Sequence, residues 1–425
     1  MMSSVTAASR GSTVADFNIG LVHPFDVRGK KVGGLETYIR DFITFCPDNT
    51  RVLFVGVDAV GDLKLGKISE ISFRGRTFDF LPVLQYSDER AREAARTIRE
   101  SITAQFFVGL LRYFPTIAQA MRERRCSIDL RRVEFSWLPA ALRLPFIQML
   151  HGEGVPNQPM DSLLQKYRQV HLVSERFAIR KSHKFLCVNP MITERMRSTY
   201  ESHSAKIDTL WTWVNTLIFQ PQPFPKSIDP FRIIFVGRLD AFKVPRLIFK
   251  TIARLRTQLK GAIEFNYIGT SNPARFPEFS EIADVTKCHG FKDAKGVAAI
   301  LADAHAGILT SEFEGMPRCV LETLAIGRPV VAVHLPQLEA VIHDGESGYL
   351  VRRDRSEDDL VEALAARFLD VRDSIFSGEM DPLAIAGKIK SFTPATQLAR
   401  VYRMHHDMQR NDTSMLSGRV QSAMG

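Results

Sequence analysis

The chain reads as an α/β protein built from two doubly wound, parallel-sheet halves. Three observations give that class. Short apolar runs of strand length alternate with helix-length segments almost from end to end, the sequence form of parallel sheets covered on both faces. The alternation breaks once, at Phe219–Pro230 (FQPQPFPKSIDP), where four prolines and little apolar periodicity mark a linker. The chain has 425 residues, too many for one ordinary core when domains run to ~150 residues.

In the first half, Phe17–His23, Thr50–Val57, Phe78–Val83, Phe146–Leu150 and Lys184–Val188 are expected strands, with a helix from about Gly34 to Cys46. In the second half, Phe231–Val236, Ala262–Ile268, Ala306–Leu309 and Pro329–Val333 are strands, and Pro245–Lys260, Lys295–Ala304 and Pro317–Ile326 are helices. After Ser356 the pattern is helical only. Ser356 is a capping residue followed by three acids, and Thr393-Pro394 opens a last helix expected to end near Arg410. Met1–Ala15 lacks the apolar core of a signal peptide and is expected to be disordered, as is Asn411–Gly425.

Composition narrows the function classes. With 45% hydrophobic and 24% charged residues, the chain is globular rather than disordered or fibrous. No run of ~18 apolar residues predicts a membrane span. The net charge of +9 favours an anionic partner: nucleic acid, a phosphorylated small molecule or an acidic membrane surface. The five scattered cysteines form no CxxC pair, so neither zinc nor a disulfide framework is indicated and a reducing cytosol is expected.

Two phosphate-loop patterns fail. Gly61–Lys67 has GxxxxGK spacing, but Ile68 follows where a Ser or Thr would ligate Mg²⁺. No GxGxxG follows the first strand, which disfavours a dinucleotide enzyme.

The segment Ser311–Val331 (SEFEGMPRCVLETLAIGRPVV) carries more. A strand ends, an acidic loop follows, and Pro317 is placed to open a helix. Glu314 and Glu322 lie ~12 Å apart if the spacing is fully helical, the scale separating a sugar from a ribose across a diphosphate. Gly315 and Met316 stand at the expected helix start, where free amides and the dipole favour an anion. On spacing alone, solvated helix-start acids fit equally well. Gly237-Arg238-Leu239-Asp240-Ala241-Phe242-Lys243 leaves a strand's carboxyl end, the ligand-binding edge of an open α/β sheet. Its Arg and Lys could neutralise a diphosphate or be solvated loop residues. Gly33-Gly34-Leu35-Glu36 opens the first helix, either as a close approach to a ligand or as a plain turn. His151, followed by Gly152 and Glu153, comes directly after the strand FIQML and is placed to face a cleft.

In combination these residues resemble the retaining glycosyltransferases of family 4, which have the GT-B fold: two doubly wound domains facing across a cleft, with a C-terminal helix crossing back. Glu314 and Glu322 match that family's E-x₇-E signature, Ala325–Val331 its AxGxPVV turn, and His343–Leu350 (HDGESGYL) its dGxxGxL loop. The resemblance covers about Phe17 to Arg410. It implies domains at 16–216 (acceptor) and 217–392 (nucleotide-sugar), with 393–410 as the crossover helix.

By that resemblance His151, Glu314, Arg238 and Lys243 are catalytic. Gly34, Arg238, Lys243, Phe291 (in the His289-Gly290-Phe291 loop), Glu314, Gly315, Met316 and Glu322 hold the donor, with Glu314 on the sugar and Glu322 on the ribose. Gly33, Glu36 and Glu153 contact the acceptor. Trp213-Val214-Asn215 is similar to the family's crossover into the second domain, with Asn215 replacing an Asp. The chain departs from the pattern at Val244, where a Gly is usual after the Lys.

The activity implied is retaining transfer of a sugar, a hexose by expectation, from a nucleotide-sugar to a glycan or lipid-linked acceptor in surface-polysaccharide or glycolipid synthesis. No cofactor and no metal are expected, since no DxD-type carboxylate pair stands in the sequence, and no nucleic-acid partner. The alternatives are a non-catalytic carbohydrate-binding scaffold or a sugar-nucleotide epimerase on the same fold. A cytoplasmic chain is expected, peripheral on the inner face of the membrane. Phe106, Leu110, Phe114 and Ile117 at helical spacing, with Arg122, Arg124 and Arg125 behind them, would touch an anionic bilayer, with a core-facing helix as the other reading.

Overall fold

The structure, a computed structural model, describes residues 17–31, 33–87, 100–151 and 168–422. The start at residues 1–15 and the candidate Glu153 lie outside the described residues.

Eight strands form the first sheet: β1 (Phe17–Val22), β2 (Thr50–Asp58), β3 (Ser69–Phe73), β4 (Arg76–Gln85), β5 (Ser127–Leu130), β6 (Phe146–Leu150), β7 (Lys184–Cys187) and β8 (Ile207–Thr209), in the order β3-β4-β2-β1-β5-β6-β7-β8. Only the β3–β4 hairpin is antiparallel. The second sheet is parallel throughout: β9 (Phe231–Val236), β10 (Ile263–Ile268), β11 (Thr286–Gly290), β12 (Ala306–Leu309), β13 (Val330–Val333) and β14 (Gly348–Val351), in the order β11-β10-β9-β12-β13-β14. The central strands of each sheet are apolar on both faces, as parallel strands flanked by helices require.

Strand order fixes where ligands fit. In the first sheet β1 lies between β2 and β5; in the second, β9 lies between β10 and β12. Successive connections depart to opposite faces at these points and leave a crevice beyond the strands' carboxyl ends. Those ends carry His23 after β1, Arg131 after β5, Gly237–Lys243 after β9 and Thr310–Pro317 after β12.

The two domains have separate cores, and the chain crosses between Trp213, packed in the first, and Val214, packed in the second. Helix Pro394–Ser422 returns to the first domain. Leu398, Val401 and Tyr402 enter its core, Tyr402 donates to the Phe42 carbonyl, and Gln409 Nε2 donates to the Asn18 carbonyl at 2.6 Å. The helix runs past Arg410, where the sequence analysis ends it and places a disordered tail.

The membrane stripe is corrected. Residues 101–125 form two helices, Ile102–Arg112 and Phe114–Glu123, joined at Tyr113. Pro115 stands in the first turn of the second helix, where a missing N–H costs nothing, so it starts a helix rather than kinking one. Phe106, Leu110 and Ile117 are fully buried, and Phe114 packs against the same core. Arg124 lies 3.3 Å from Asp79 in an ion pair. The apolar residues this segment does expose are Phe107, Val108 and Leu111, on the opposite face.

Five strands have no counterpart in the sequence analysis: β3, β5, β8, β11 and β14. They are short, and β11 (TKCHG) lies at a sheet edge without an apolar run.

Candidate active site in the interdomain cleft

The carboxyl edges of the two sheets face each other. Asn189, after β7, donates through Nδ2 to the Gly315 carbonyl at 2.7 Å. A Cβ at Gly315 would lie 3.0 Å from Val188 Cγ2 and 3.1 Å from the His151 carbonyl. A larger residue there would require the Val188 side chain or the His151 backbone to give by a few tenths of an ångström. This close approach is what the glycine is for.

On the second domain's wall, two loops are fastened together. Glu312 N donates to the Phe242 carbonyl at 2.8 Å, Thr310 Oγ1 donates to the Lys243 carbonyl at 2.6 Å, and the Phe242 and Phe313 rings lie 4.8 Å apart. This sets the side chains. Lys243 Nζ donates to Glu314 Oε1 at 2.6 Å, and Ser311 Oγ donates to the same oxygen at 2.9 Å. Gln337 Nε2 holds the Glu314 carbonyl at 2.7 Å. Burial opposes the Lys243 charge, but Glu314 beside it keeps its pKa above the usual value. The departure at Val244 has a backbone consequence. Val244 adopts φ 47°, ψ 60°, a left-handed conformation that suits glycine and strains a β-branched residue, and Pro245 then opens the helix.

Helix Arg318–Ala325 begins after Pro317, so Gly315 and Met316 precede it and Glu314 lies in the loop; the fully helical spacing does not occur. The Gly315 and Met316 amides have no acceptor among the described residues. Arg238 is mostly exposed and pairs with Asp240 at 3.0 Å. Phe291, beyond β11, is exposed.

Glu322 lies at the corner where the domains meet. Arg318 Nε stands 3.7 Å from Glu322 Oε1, Arg318 Nη1 donates to the Trp213 carbonyl at 2.8 Å, and Arg318 Cδ is 4.0 Å from where a Gly34 Cβ would be. Burial pushes the Glu322 carboxyl from its ordinary 4.5 to about 7, with Arg318 opposing and Asp41 adding to the rise. Asp41, itself buried, accepts from Trp213 Nε1 and Asn215 Nδ2, both at 3.1 Å. Arg318 and Asp41 are site residues the sequence analysis missed. Asp41 sits unremarkably on a helix, and Arg318 was passed over inside the quoted motif.

The first domain's wall is different. His151 packs edge-on against Tyr38 with ring centroids 5.5 Å apart, and its Nε2 has no partner among the described residues. Burial, then Arg131 and Arg318, push its pKa well below 6.5, so the imidazole is neutral at physiological pH. His23 Nδ1, Tyr38 Oη and Arg132 Nε are likewise buried without partners among the described residues. Beneath them Arg131 and Asp129 form an ion pair at 2.7 Å, both fully buried. Glu36 is taken up by Lys31 at 2.8 Å, and its carboxylate also fills the space beside Gly33.

The Gly61–Lys67 loop donates its Gly61 and Leu63 amides to the Asp58 carboxylate, at 2.9 and 3.0 Å, instead of framing a phosphate. Among the described residues no group of three or more His, Cys, Asp or Glu could hold a metal ion.

Comparison with known proteins follows the same division. Residues 230–370 match the family model "Glycosyl transferases group 1". The chain is 25% identical over 197 residues to D-inositol 3-phosphate glycosyltransferase of Arthrobacter sp. (strain FB24), covering 43% of this chain and 47% of that protein. It is 29% identical over 143 residues to the putative colanic acid biosynthesis glycosyltransferase WcaL of Escherichia coli (strain K12), covering 31% and 35%. The chain thus spans half or less of the length of these relatives. Sucrose-phosphate synthase from Thermosynechococcus elongatus superposes over 91% of this chain and 98% of its own, with TM-score 0.66 and 16% identity. That is a likeness of fold.

Proposed function

We propose that this chain, a member of glycosyl transferases group 1 with the GT-B fold, is a retaining glycosyltransferase that moves a hexose from a nucleotide-sugar to a glycan or lipid-linked acceptor. The observation that carries the reading is the Lys243–Glu314 pair beside the free Gly315 and Met316 amides, at the second sheet's switch point and facing His151. A cation, two amides and a carboxylate at one crevice suit a sugar diphosphate: the amides and Lys243 take the phosphate, and Glu314 takes sugar hydroxyls.

In the proposed reaction the bond from the anomeric carbon to the departing phosphate oxygen breaks. A bond to the acceptor oxygen forms on the same face, and the acceptor's proton passes to the departing phosphate. No protein base is needed. Lys243, Arg238 and the amides stabilise the charge that develops on the phosphate, and the reaction is proposed to run without metal. Neutral His151 hydrogen-bonds the sugar near its reacting carbon. Glu322 takes the ribose, and Phe291 lies beside the base. Gly34 lies beside the donor, and Gly33 and Glu36 border the acceptor.

Cell-surface polysaccharide or glycolipid synthesis is the proposed setting, with the protein cytoplasmic and peripheral on the membrane's inner face. No helix among the described residues is long and apolar enough to cross a membrane. The proposed bilayer contact moves to the exposed face bearing Phe107, Val108 and Leu111.

The test is a panel of UDP- and GDP-sugars screened for protection against thermal unfolding. The protecting donor is then incubated with candidate acceptors in excess chelator. A new glycoside with the donor's anomeric configuration is expected. Donor epimerisation without glycoside, or binding without turnover, would favour the epimerase or the scaffold. Complete loss of activity with EDTA, restored by Mg²⁺ or Mn²⁺, would overturn metal independence.

A further inference from the structure

We propose that Arg318 is a positioning residue that ties the seating of the donor's ribose to the geometry of the interdomain crossover. It keeps the Glu322 carboxylate ready for the ribose hydroxyls while its far edge holds the backbone of Trp213. The inference rests on Glu322 as the ribose ligand and adds what sets that carboxylate's charge and place.

The geometry is asymmetric in a telling way. Arg318 donates to the Trp213 carbonyl at 2.8 Å, a full hydrogen bond, yet stands 3.7 Å from Glu322, too far for one. The Lys243–Glu314 contact at 2.6 Å is closed by comparison. Glu322 has a cation near enough to favour its charge, while its oxygens accept no hydrogen bond from the described residues. A diol with two donors complements those two oxygens. Both side chains are about 85% buried (15% and 16% exposed), where a neighbouring charge acts strongly.

Trp213 is gripped from two sides. Arg318, from the second domain, takes its carbonyl, and Asp41, from the first, takes its indole N–H and the Asn215 amide. Trp213 is packed in the first domain's core and the next residue, Val214, in the second's. A rotation of the domains must therefore disturb Arg318 or Asp41, and Arg318 also controls Glu322. Nucleotide binding and domain angle are then linked.

The charges that act on Glu322 are Arg318 on its own helix and Asp41 on the facing one. Arg74 lies behind Asp41 at 3.9 Å. The Cys319 thiol, influenced by Lys243, Glu314 and Glu322, is pushed up to about 12 by burial and stays neutral.

The experiment measures UDP and GDP affinity from pH 5.5 to 9 for wild type, Arg318→Met, Arg318→Lys and Glu322→Gln, with thermal unfolding as the check on folding. Wild-type affinity should rise with pH through a midpoint near 7. Arg318→Met, which keeps the stem, should move that midpoint up by about one pH unit and weaken binding about fivefold at pH 7. Arg318→Lys should restore the midpoint. Glu322→Gln should bind weakly with no such limb. If Arg318→Met weakens binding but leaves the midpoint in place, Arg318 is only structural and the proposal falls. If Glu322→Gln binds as wild type does, the ribose reading fails instead. If wild type binds neither nucleotide, both fail.

Discussion

The two walls of the cleft are finished to different degrees. On the second domain's wall, Lys243, Glu314, Ser311, Gln337 and Thr310 each have a partner in the protein. On the first domain's wall, His23, Tyr38, Arg132 and His151 each keep a buried polar atom with none among the described residues. A buried polar atom without a partner costs about 1–3 kcal/mol, so a cluster of them is not a neutral outcome of packing. The second wall's side chains around Glu314 are held by one another, which leaves the Gly315 and Met316 amides and Glu322 open to a ligand. The first wall instead keeps four buried side-chain polar atoms without a partner among the described residues.

The sharpest way to break this contrast is to damage the finished wall. Glu314→Ala leaves the Lys243 ammonium buried without its carboxylate, and breaking such a pair costs about 3–5 kcal/mol. The expected result is a clear fall in unfolding temperature and at least a hundredfold loss of turnover. The double change Lys243→Met, Glu314→Gln should regain much of the stability and none of the activity. Recovered activity in the double variant would show that the pair is structural.

The next largest effect concerns Glu322, through proton linkage. The folded residue holds its proton up to about 7, whereas the unfolded one gives it up near 4.5. The folded state therefore binds more protons in that window, and stability falls as pH rises from about 4.5 to about 7, then levels off. Glu322→Gln removes the loss. It should be more stable than wild type by on the order of 1–3 kcal/mol at pH 8, little different near pH 4, and weaker in nucleotide binding. Thermal melts at the two pH values check this; an equal shift at both would refute the linkage.

On the first wall, Tyr38→Phe removes a hydroxyl with no hydrogen-bond partner among the described residues while keeping the ring against His151 and Trp213. Unfolding free energy should rise by about 1–3 kcal/mol, because the variant removes an unsatisfied buried hydroxyl. Turnover at limiting acceptor should fall severalfold with donor affinity unchanged. A stability loss without a kinetic effect would place the hydroxyl's role in the fold.

The sequence made the sheets legible wherever a strand was long and apolar, as at Phe231–Val236, and the linker legible through its prolines. It hid β5, whose four residues SIDL look like any loop entrance, and β11, an edge strand of polar residues. For the site, motif spacing pointed to Glu314 and Lys243, and the structure brings them into contact. Asp41 could not be found that way. Its partners Trp213 and Asn215 lie more than 170 residues on, and nothing local distinguishes it from a solvated helix acid. The apolar stripe failed for a related reason. Helical spacing shows that a helix has an apolar face but not whether protein or lipid covers it, and Phe106, Leu110 and Ile117 face the core.

The smallest effect expected is at the membrane, and it follows from that correction. Val108 is 62% exposed and Leu111 52%, with Phe107 at 37% beside Trp137. Burying a large apolar side chain in full is worth about 1.5–3 kcal/mol. Three partly exposed ones support only weak, reversible binding, helped by electrostatic attraction from a chain of net charge +9. Replacing Phe107, Val108 and Leu111 with Ser should lower co-sedimentation with anionic vesicles severalfold at low salt. Nucleotide binding and the melting temperature should hardly change, because these side chains contribute little to the core. Replacing Phe106, Leu110 and Ile117 should instead unfold the domain. If the exposed-face variant sediments as wild type does, the first wall takes its acceptor from solution rather than from a bilayer.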